Sequence, residues 1–458
     1  MFECYFFWWT MRLSQVFARS RELAPLIKQA CAVDEPAQFM ALLAKMRVEP
    51  RQLRLWRAIR QSAIHFADRA GVKIPSWPDQ AARPCFAGQQ PYVDYYPAVL
   101  AKLDALETFG GASVYAFADY APLGSDPWMA RTPLPSVSAP DGLMLLRFCR
   151  SMRAHRGKDL RFVPPPSLGV LAEVAENLKG MITHTAKWLP QDSFSRKAAF
   201  ARLRVLLNDY EAARVAARNA GEFNSFWSAR VFHRLGFRLP LVSLSKLLAH
   251  DELLPSVAAT LAVFIERNAL FIESVNEAKQ FDEGGDLNFS SKELGHVPLA
   301  LADPKDGVRR SLRLQRRGSD HLLVSKTEVF NIGRADAASL EELLRRLSGR
   351  WSLDVFTPLF LFRLGFAGII DGRGSIRYSL VLAHVLWRLF GDRHPPNLLC
   401  SCSPPLTGPF VEAVCRAHGK LPDSLRAREP TLISRLLISD ETTIRREISA
   451  SWREEAQK

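Results

Sequence analysis

Residues 84–119 read PCFAGQQPYVDYYPAVLAKLDALETFGGASVYAFAD, and this stretch decides the fold. The short apolar run 84–87 predicts a strand, which leads into a loop of glycine, glutamine and proline. The segment YPAVLAKLDALETF predicts a helix, because Pro97 is tolerated in a first turn. A second apolar run, 113–118, predicts another strand that ends at Asp119. Strand, loop, helix and strand in this order are typical of the βαβ unit of a parallel sheet.

The topology of such a unit predicts where a ligand binds. A right-handed crossover returns the chain to the same sheet in the same direction, so the Gln89 loop and Asp119 should open at one edge. Doubly wound folds bind their ligands at this edge. We therefore predict an α/β protein with a Rossmann-like parallel sheet core and large helical additions.

Hydrophobic periodicity divides the rest of the chain into four predicted regions. They are an N-terminal helical cap (1–80), the first part of the Rossmann-like core (81–165), a helical insertion (166–290) and the second part of the core (291–458). The cap should contain two or three amphipathic helices between Leu13 and Ala70. The first core part is rich in Pro and Ser, with one helix expected at 143–152. The last part should contain a hairpin around 318–320, a helix capped by Ser339, a glycine turn and C-terminal helices.

The chain is basic and rich enough in apolar residues to fold. Its 458 residues are 48% hydrophobic, and 61 Lys and Arg against 47 Asp and Glu give a formal net charge of +14. Anionic partners are therefore favoured. The basic residues are spread along the chain, however, so a nucleic-acid interface is the less favoured interpretation. Five arginines, Arg309, Arg310, Arg313, Arg316 and Arg317, alternate with apolar residues and should lie on the solvent face of the hairpin.

Compartment and metal binding are read from the cysteines and the apolar runs. Seven cysteines without dense, regular spacing indicate a reducing compartment. The first residues lack the features of a signal peptide, and no apolar run is long enough to span a bilayer. We expect a cytoplasmic protein without a membrane segment; Met11 is an alternative start. Cys400, Cys402, Cys415 and His418 are potential zinc ligands, but apolar packing is favoured and we expect no metal.

Two loops carry the candidate binding site. Gly88 permits a tight turn, and the amides of Gln89 and Gln90 both donate and accept hydrogen bonds. Lys102, on the helix that follows, adds a cation. The alternative is an ordinary surface loop with a solvated lysine.

The second loop surrounds Gly372 and Gly374, which precede a helix predicted to open at Ile376. Glycines before a helix N-terminus expose amides to an anion. The alternative is a turn between two helices.

Both loops resemble one family. The segment 87–91, followed by Pro97 and Lys102, resembles the T-G-Q-Q or G-H-Q-P motif followed by P-x-x-x-x-K in the bacillithiol cysteine-adding enzymes and related bacterial proteins. Residues 372–378, GRGSIRY, resemble the second motif of that family, G-P-G-E-I-A-Y. The chain has ADYA at 118–121 where the family has an acidic stretch, and Ser375 replaces the glutamate of the second motif.

The resemblance implies a Rossmann-like enzyme that joins cysteine or a similar amino acid to a small polar metabolite of the amino-sugar type. It implies that Gln89 and Gln90 orient the ligand, and that Lys102 and Arg377 neutralise its anionic groups. Gly372, Gly374 and Tyr378 would complete the ligand site. Asp119 or Asp371 is the candidate general base.

Two other functions stay open. One is a non-catalytic ligand-binding or scaffold protein of the same fold, and the other is a basic nucleic-acid-binding protein. The sequence identifies neither a cofactor nor an oligomeric state.

Overall fold

The structure is a computed structural model that describes 30–74, 77, 83–109, 113–190, 193–280, 289–400, 402, 408–426 and 431–457, without the side chains of 373, 374, 426 and 455–457. The predicted helix before residue 30 and the glycines at 110 and 111 lie outside the described residues. The strands are β1 (Ala32–Val33), β2 (Cys85–Gln89), β3 (Ser113–Phe117), β4 (Arg131–Pro135), β5 (Leu143–Arg147), β6 (Leu241–Ser243), β7 (His296–Ala302), β8 (Arg309–Arg317), β9 (Asp320–Val324), β10 (Val329–Gly333), β11 (Trp351–Leu353), β12 (Gly368–Asp371) and β13 (Asn397–Leu399).

Helices make up most of the remaining described chain. They are α1 (Pro36–Lys45), α2 (Pro50–Ala70), α3 (Pro97–Thr108), α4 (Met152–His155), α5 (Leu168–Thr185), α6 (Arg196–Ala216), α7 (Ala220–Arg234), α8 (Leu244–Leu248), α9 (Leu254–Glu266), α10 (Asn268–Gln280), α11 (Ala337–Arg346), α12 (Thr357–Leu364), α13 (Arg373–Phe390), α14 (Pro409–His418), α15 (Asp423–Arg426), α16 (Leu432–Ile438) and α17 (Glu441–Gln457). None of these described helices is by itself long and apolar enough to cross a membrane; α9 and α10 together are, but an 82° bend separates them.

The central sheet confirms the predicted fold class. Six strands pair in the order β1-β13-β12-β2-β3-β6, and every pairing is parallel. The strands β2 and β3 and the helix α3 form the predicted βαβ unit. From β2 the chain adds β3 and then β6 on one side, whereas β12 pairs on the other side of β2 and adds β13 beyond it. The order of strands therefore reverses between β2 and β12, which makes this the topological switch point of the sheet.

Helices cover both faces of the sheet, so its strands are apolar on both sides. Residues that alternate along β3 divide between two cores: Tyr115 and Phe117 pack with α3, α5, α6 and α7. Val114 and Ala116 pack on the opposite face with α9, α12 and α13. The helices α3 and α13, which follow the two strands at the switch point, consequently lie on opposite faces.

Several predicted elements are wrong in detail. The helix predicted at 143–152 is instead β5, which pairs antiparallel with β4 through Thr132 and Leu146. Prolines within β4 are tolerated because this two-stranded sheet consists of edge strands. The helix expected to be capped by Ser339 begins at Ala337, because the Asp336 side chain accepts the bond from the Ser339 amide at 2.8 Å.

The predicted helical insertion is interrupted by a strand that the sequence did not reveal. Residues 241–243 form β6, which adds to the edge of the central sheet beside β3. At three residues it is too short to show a period. The turn at Gly372 joins a strand to a helix that begins at Arg373, so the expected start at Ile376 and the alternative of a helix-to-helix turn are both wrong.

The predicted hairpin belongs to a larger second sheet. Five strands pair antiparallel in the order β10-β9-β8-β7-β11, with β8 and β9 as the predicted hairpin. Leu312 is buried as expected, and Arg313, Arg316 and Arg317 are exposed. Arg309 and Arg310 differ from the expectation, because they are half-buried and bind protein groups. Arg309 donates to Ser352 and to the Leu353 carbonyl, and Arg310 pairs with Asp303 and Asp306.

Two buried carboxylates, Asp94 and Asp104, join the loop after β2 and the helix α3 to neighbouring elements. Asp94 is fully buried and accepts bonds from the amides of Tyr95 and Ile433, at 2.8 and 2.9 Å, and from the Thr132 hydroxyl at 2.7 Å. It thereby joins this loop to β4 and to α16. On α3, Asp104 accepts bonds from Ser449 and from the Trp452 indole, at 2.6 and 2.7 Å. The helix α3 is therefore held from its outer side by α17.

We expect Asp94→Ala to lower the free energy of unfolding by about 3 kcal/mol, because it leaves two buried amides and a hydroxyl without an acceptor. Asp94→Asn is the matched control, since its carbonyl oxygen can still accept both amide bonds, and it should cost clearly less. Denaturant unfolding of the two variants and the parent protein measures the difference. Equal losses in both variants would contradict this account.

The charge of Asp94 should also make stability depend on pH. Burial raises the pKa of Asp94 to about 6, against bonds from Thr132, Ile433 and Tyr95 that lower it. Because the folded pKa lies above the unfolded one, the contribution is full at low pH and is lost as the pH rises through about 6. The parent protein should therefore lose stability relative to Asp94→Asn as the pH rises from about 4 to about 7. A constant difference between the two unfolding curves would refute the shift.

Candidate functional site

The two sequence motifs meet at the topological switch point. In the register of β12 with β2, Gly368 pairs with Cys85 and Ile369 with Phe86, so Asp371 reaches the level of Gly88. The loop Gln89–Gln90 and the turn at Gly372 consequently leave neighbouring strands at the same carboxyl edge. The two loops are more than half of the chain apart in sequence, yet they form the two sides of one crevice, which we call the switch crevice. Doubly wound folds place ligands in such a crevice.

Lys102 reaches this crevice from α3. Its side chain is only 3% exposed, although lysine is almost never buried without a partner. A Cβ built on Gly372 would lie 3.2 Å from the Lys102 Cε and 3.5 Å from its Nζ, so glycine leaves room for the lysine beside the helix start. No described residue forms an ion pair or a hydrogen bond with the ammonium group. Burial lowers the pKa of Lys102, while the charges of Asp371 and Cys400 oppose this shift.

Asp371, at the end of β12, is the carboxylate whose charge acts on Lys102. It is buried, and its Oδ2 accepts bonds from the Ser379 hydroxyl and the Asn397 amide, both at 2.9 Å. The Asn397 amide also donates to Ser379 at 2.6 Å, so two elements, α13 and β13, hold one oxygen of the carboxylate in place. The other oxygen, Oδ1, accepts no bond from a described residue. Burial raises the pKa of Asp371, and the Lys102 charge opposes the rise.

The two glutamines form a network of their own. The Gln89 amide donates to Gln90 Oε1 at 2.8 Å and to the Tyr92 hydroxyl at 2.6 Å. The Tyr92 hydroxyl donates to Asp126 at 2.6 Å, and burial raises its pKa. This network leaves the side-chain nitrogen Nε2 of Gln90 and the side-chain oxygen Oε1 of Gln89 without a partner among the described residues. One donor and one acceptor are thus held for a polar ligand.

The remaining motif residues lie at the start of α13. Gly372 is the N-cap residue of this 18-residue helix and provides no side-chain cap. Gly374 lies in the first turn, whose free amides and helix dipole favour an anion. Arg377 and Tyr378 follow one turn later and are half-buried, and within the described chain no hydrogen bond or ion pair joins them to Lys102 or Asp371. Tyr378 instead makes an edge contact with Phe289.

Asp119 lies one strand further along the same edge and has a different environment. Its Oδ1 accepts from the Ser245 amide at 3.0 Å, and its Oδ2 accepts from the hydroxyls of Ser243 and Ser245 at 2.8 and 2.7 Å. Both oxygens are therefore engaged in holding the start of α8 against β3. Asp119 lines a cavity of about 250 Å³ that neither the glutamines nor Lys102 line. The geometry therefore favours Asp371 over Asp119 as the candidate base.

Cysteine and histidine positions do not support a metal site. Across the described ranges no group of three or more His, Cys, Asp and Glu side chains is arranged to hold a metal ion. Cys400 and Cys402 are both buried beside the end of β13 and belong to one apolar core.

Four site residues were missed at the level of sequence: Tyr92, Asp126, Ser379 and Asn397. Tyr92 and Ser379 stand next to the motifs, so their proximity was a usable signal. Asp126 and Asn397 come from a loop and a strand that only the fold brings to the edge. No short motif marks either residue.

Neither a known protein family nor a curated protein matches this chain.

Proposed function

We propose that this protein is an enzyme of the cysteine-adding ligase type, which joins an amino acid such as cysteine to a small polar metabolite carrying an anionic group. The observation that carries the proposal is the buried Lys102, which has no ion-pair partner among the described residues and lies against the N-terminus of α13. Burying an unpaired ammonium group destabilises a fold. A ligand anion seated between the lysine and the helix start would offset that cost.

The chemistry assigned to each residue follows from its free atoms. An anionic group binds between the Lys102 ammonium and the first amides of α13. The free donor of Gln90 and the free acceptor of Gln89 orient hydroxyl or amine groups of the same ligand. As the amine of one substrate attacks the protonated carboxyl group of the other, it loses a proton, and Asp371 Oδ1 accepts it. Asp371 then returns this proton to one carboxyl oxygen, the C–O bond breaks, and that oxygen leaves as water while the amide forms. A carboxylate whose pKa is raised by burial is a stronger base than one in water.

One observation favours a second function, a ligand-binding protein without catalysis. Asp119 stands where the resembled family carries its acidic stretch, and both of its oxygens are engaged by serines. Such a protein would keep Lys102 and the glutamines and lack turnover.

The nucleic-acid alternative is weakened by the arginines of β8. Arg309 and Arg310 form hydrogen bonds and ion pairs within the protein, and Arg313 pairs with Glu293.

Removing the charge of Lys102 tests the proposed anion site between this lysine and the start of α13. We expect Lys102→Met to weaken the binding of succinate or inorganic phosphate by at least about tenfold, since a hydrogen bond to a charged group contributes about 1.5–3 kcal/mol. The free energy of unfolding should stay equal or rise, because an unpaired buried charge is replaced by an apolar chain of similar length. Calorimetric titration and denaturant unfolding on the same preparation measure both quantities.

Lys179→Met is the control, because Lys179 is exposed on α5 and pairs only with Glu176. It should change neither quantity. Anion affinity of the parent protein should also fall as the pH rises, beginning below the ordinary titration range of lysine, since burial lowers the pKa of Lys102. Unchanged anion binding in Lys102→Met would exclude the proposed anion site.

The two candidate bases are separated by matched substitutions. We expect Asp371→Asn to remove turnover of cysteine with a carboxylate-bearing amino sugar while anion binding stays within about threefold. Asp119→Asn should leave turnover within that range and lower the free energy of unfolding, because its amide replaces an acceptor of serine bonds. Product formation is followed by mass spectrometry. Binding without turnover in the parent protein would favour the non-catalytic function.

A further inference from the structure

A second cavity opens at the same edge of the central sheet, beyond β3. It occupies about 250 Å³ between α2, the first turns of α7 and the segment that follows β6. Because β2 lies between β3 and β12, these two strands are about 10 Å apart at the usual strand spacing of about 4.8 Å, and the cavity lies on the far side of β3 from the switch crevice. The motif residues Gln89, Gln90, Lys102 and Asp371 do not line it.

The floor of the cavity is aromatic. Phe66 from α2 and Phe226 from α7 meet edge to face, with ring centroids 5.4 Å apart, and both are buried. The Arg69 guanidinium lies over the Phe226 ring, 5.2 Å from its centroid. Aromatic rings prefer edge-to-face or offset-stacked neighbours, so the ring surface that remains suits a flat ring placed edge-on or offset. Pockets for drug-sized ligands measure about 300–1,000 Å³, so this smaller cavity suits a single ring.

The acidic groups around the cavity are already neutralised or satisfied. Glu222 accepts both bonds of a bidentate pair with Arg69, at 2.6 and 2.8 Å, and a bond from the Arg218 amide. Arg69 donates in addition to the Ala216 carbonyl. Asp119 uses both oxygens for serines, as described above. Neither carboxylate is therefore free to bind a cationic ligand.

The groups that remain free are donors and cations. His65 and Lys246 form no hydrogen bond or ion pair through their side chains with any described residue, and the Ser62 hydroxyl is equally uncommitted. His250 Nδ1 accepts a bond from the Glu252 amide, so its Nε2 donates to Gln61 Oε1 at 2.8 Å. That bond leaves the Gln61 amide nitrogen as a further donor. An apolar floor below a rim of cations and donors is complementary to a ring that carries a negative charge.

We propose that this cavity is a second ligand site, which binds a single-ring aromatic or heteroaromatic acid with its ring on Phe66 and Phe226 and its carboxylate or phosphate at Lys246 and His65. The site does not depend on the proposed ligase function. Its position beside the switch crevice suits the ring of a second substrate or of a small effector.

Nicotinate and nicotinamide are the probes, because they share one ring and differ in charge. Titration followed by saturation-transfer NMR should show saturable nicotinate binding and at least about tenfold weaker nicotinamide binding. Lys246→Met should weaken nicotinate binding by at least about fivefold, whereas Lys305→Met, which changes an exposed lysine in the turn between β7 and β8, should leave it unchanged. Ser62→Phe should abolish binding by filling the cavity.

Each contrary result overturns the proposal. It fails if nicotinate does not saturate below about 10 mM, or if nicotinamide binds equally well. It also fails if binding survives both Lys246→Met and Ser62→Phe. Lys102→Met distinguishes the two sites, since it should remove anion binding in the switch crevice and leave nicotinate binding intact. Loss of nicotinate binding in Lys102→Met alone would assign that ligand to the crevice and reject the second site.

Discussion

The pairing of β2 with β12 is the contact on which the rest of the structure depends. It joins Cys85 and Phe86 to Gly368 and Ile369 across more than half of the chain. Such a distant contact has a high cost in chain entropy, so it forms only when both strands bury apolar residues on both faces. Once formed, it fixes the reversal of strand order, and with it the crevice that receives both motif loops. The helices α3 and α13 are then placed on opposite faces, with Lys102 directed from one to the start of the other.

Electrostatics at this crevice distinguishes it from ordinary core structure. A lysine that is 3% exposed and a buried aspartate face the same turn, and burial shifts their pKa values toward each other. Both groups are thus moved toward their neutral forms, a condition typical of functional sites. The carboxylate is held on one side by Ser379 and Asn397, and its other oxygen has no described donor.

Two kinds of polar environment lie along the carboxyl edge of the central sheet. At β12 and β2 the charged groups are buried and incompletely paired. At β3 and β6 the acidic groups are fully satisfied by serines and by Arg69, which leaves a basic, aromatic-floored cavity. This edge would therefore offer an anion the two sites that we propose, one at β12 and β2 and one at β3 and β6. At this edge the basic residues occur as separate groups and do not form a continuous basic surface.

The local sequence determined the βαβ unit, the glycine turn and most long helices, because period, proline and glycine act over a few residues. It therefore indicated Gly88, Gln89, Gln90, Lys102, Gly372 and Asp371 as candidates. Tertiary structure decided what those residues touch. The three-residue strand β6 is too short to show a periodic pattern. It supplies Ser243, which together with Ser245 donates hydrogen bonds to Asp119. Asn397 reaches Asp371 only through the parallel pairing of β12 with β13. Strand pairing joins residues that are far apart along the chain at no regular spacing, so no sequence pattern marks this contact. Burial of Lys102 likewise follows from the packing of α3 beneath α17 and against Gly372, which no local property of its helix expresses.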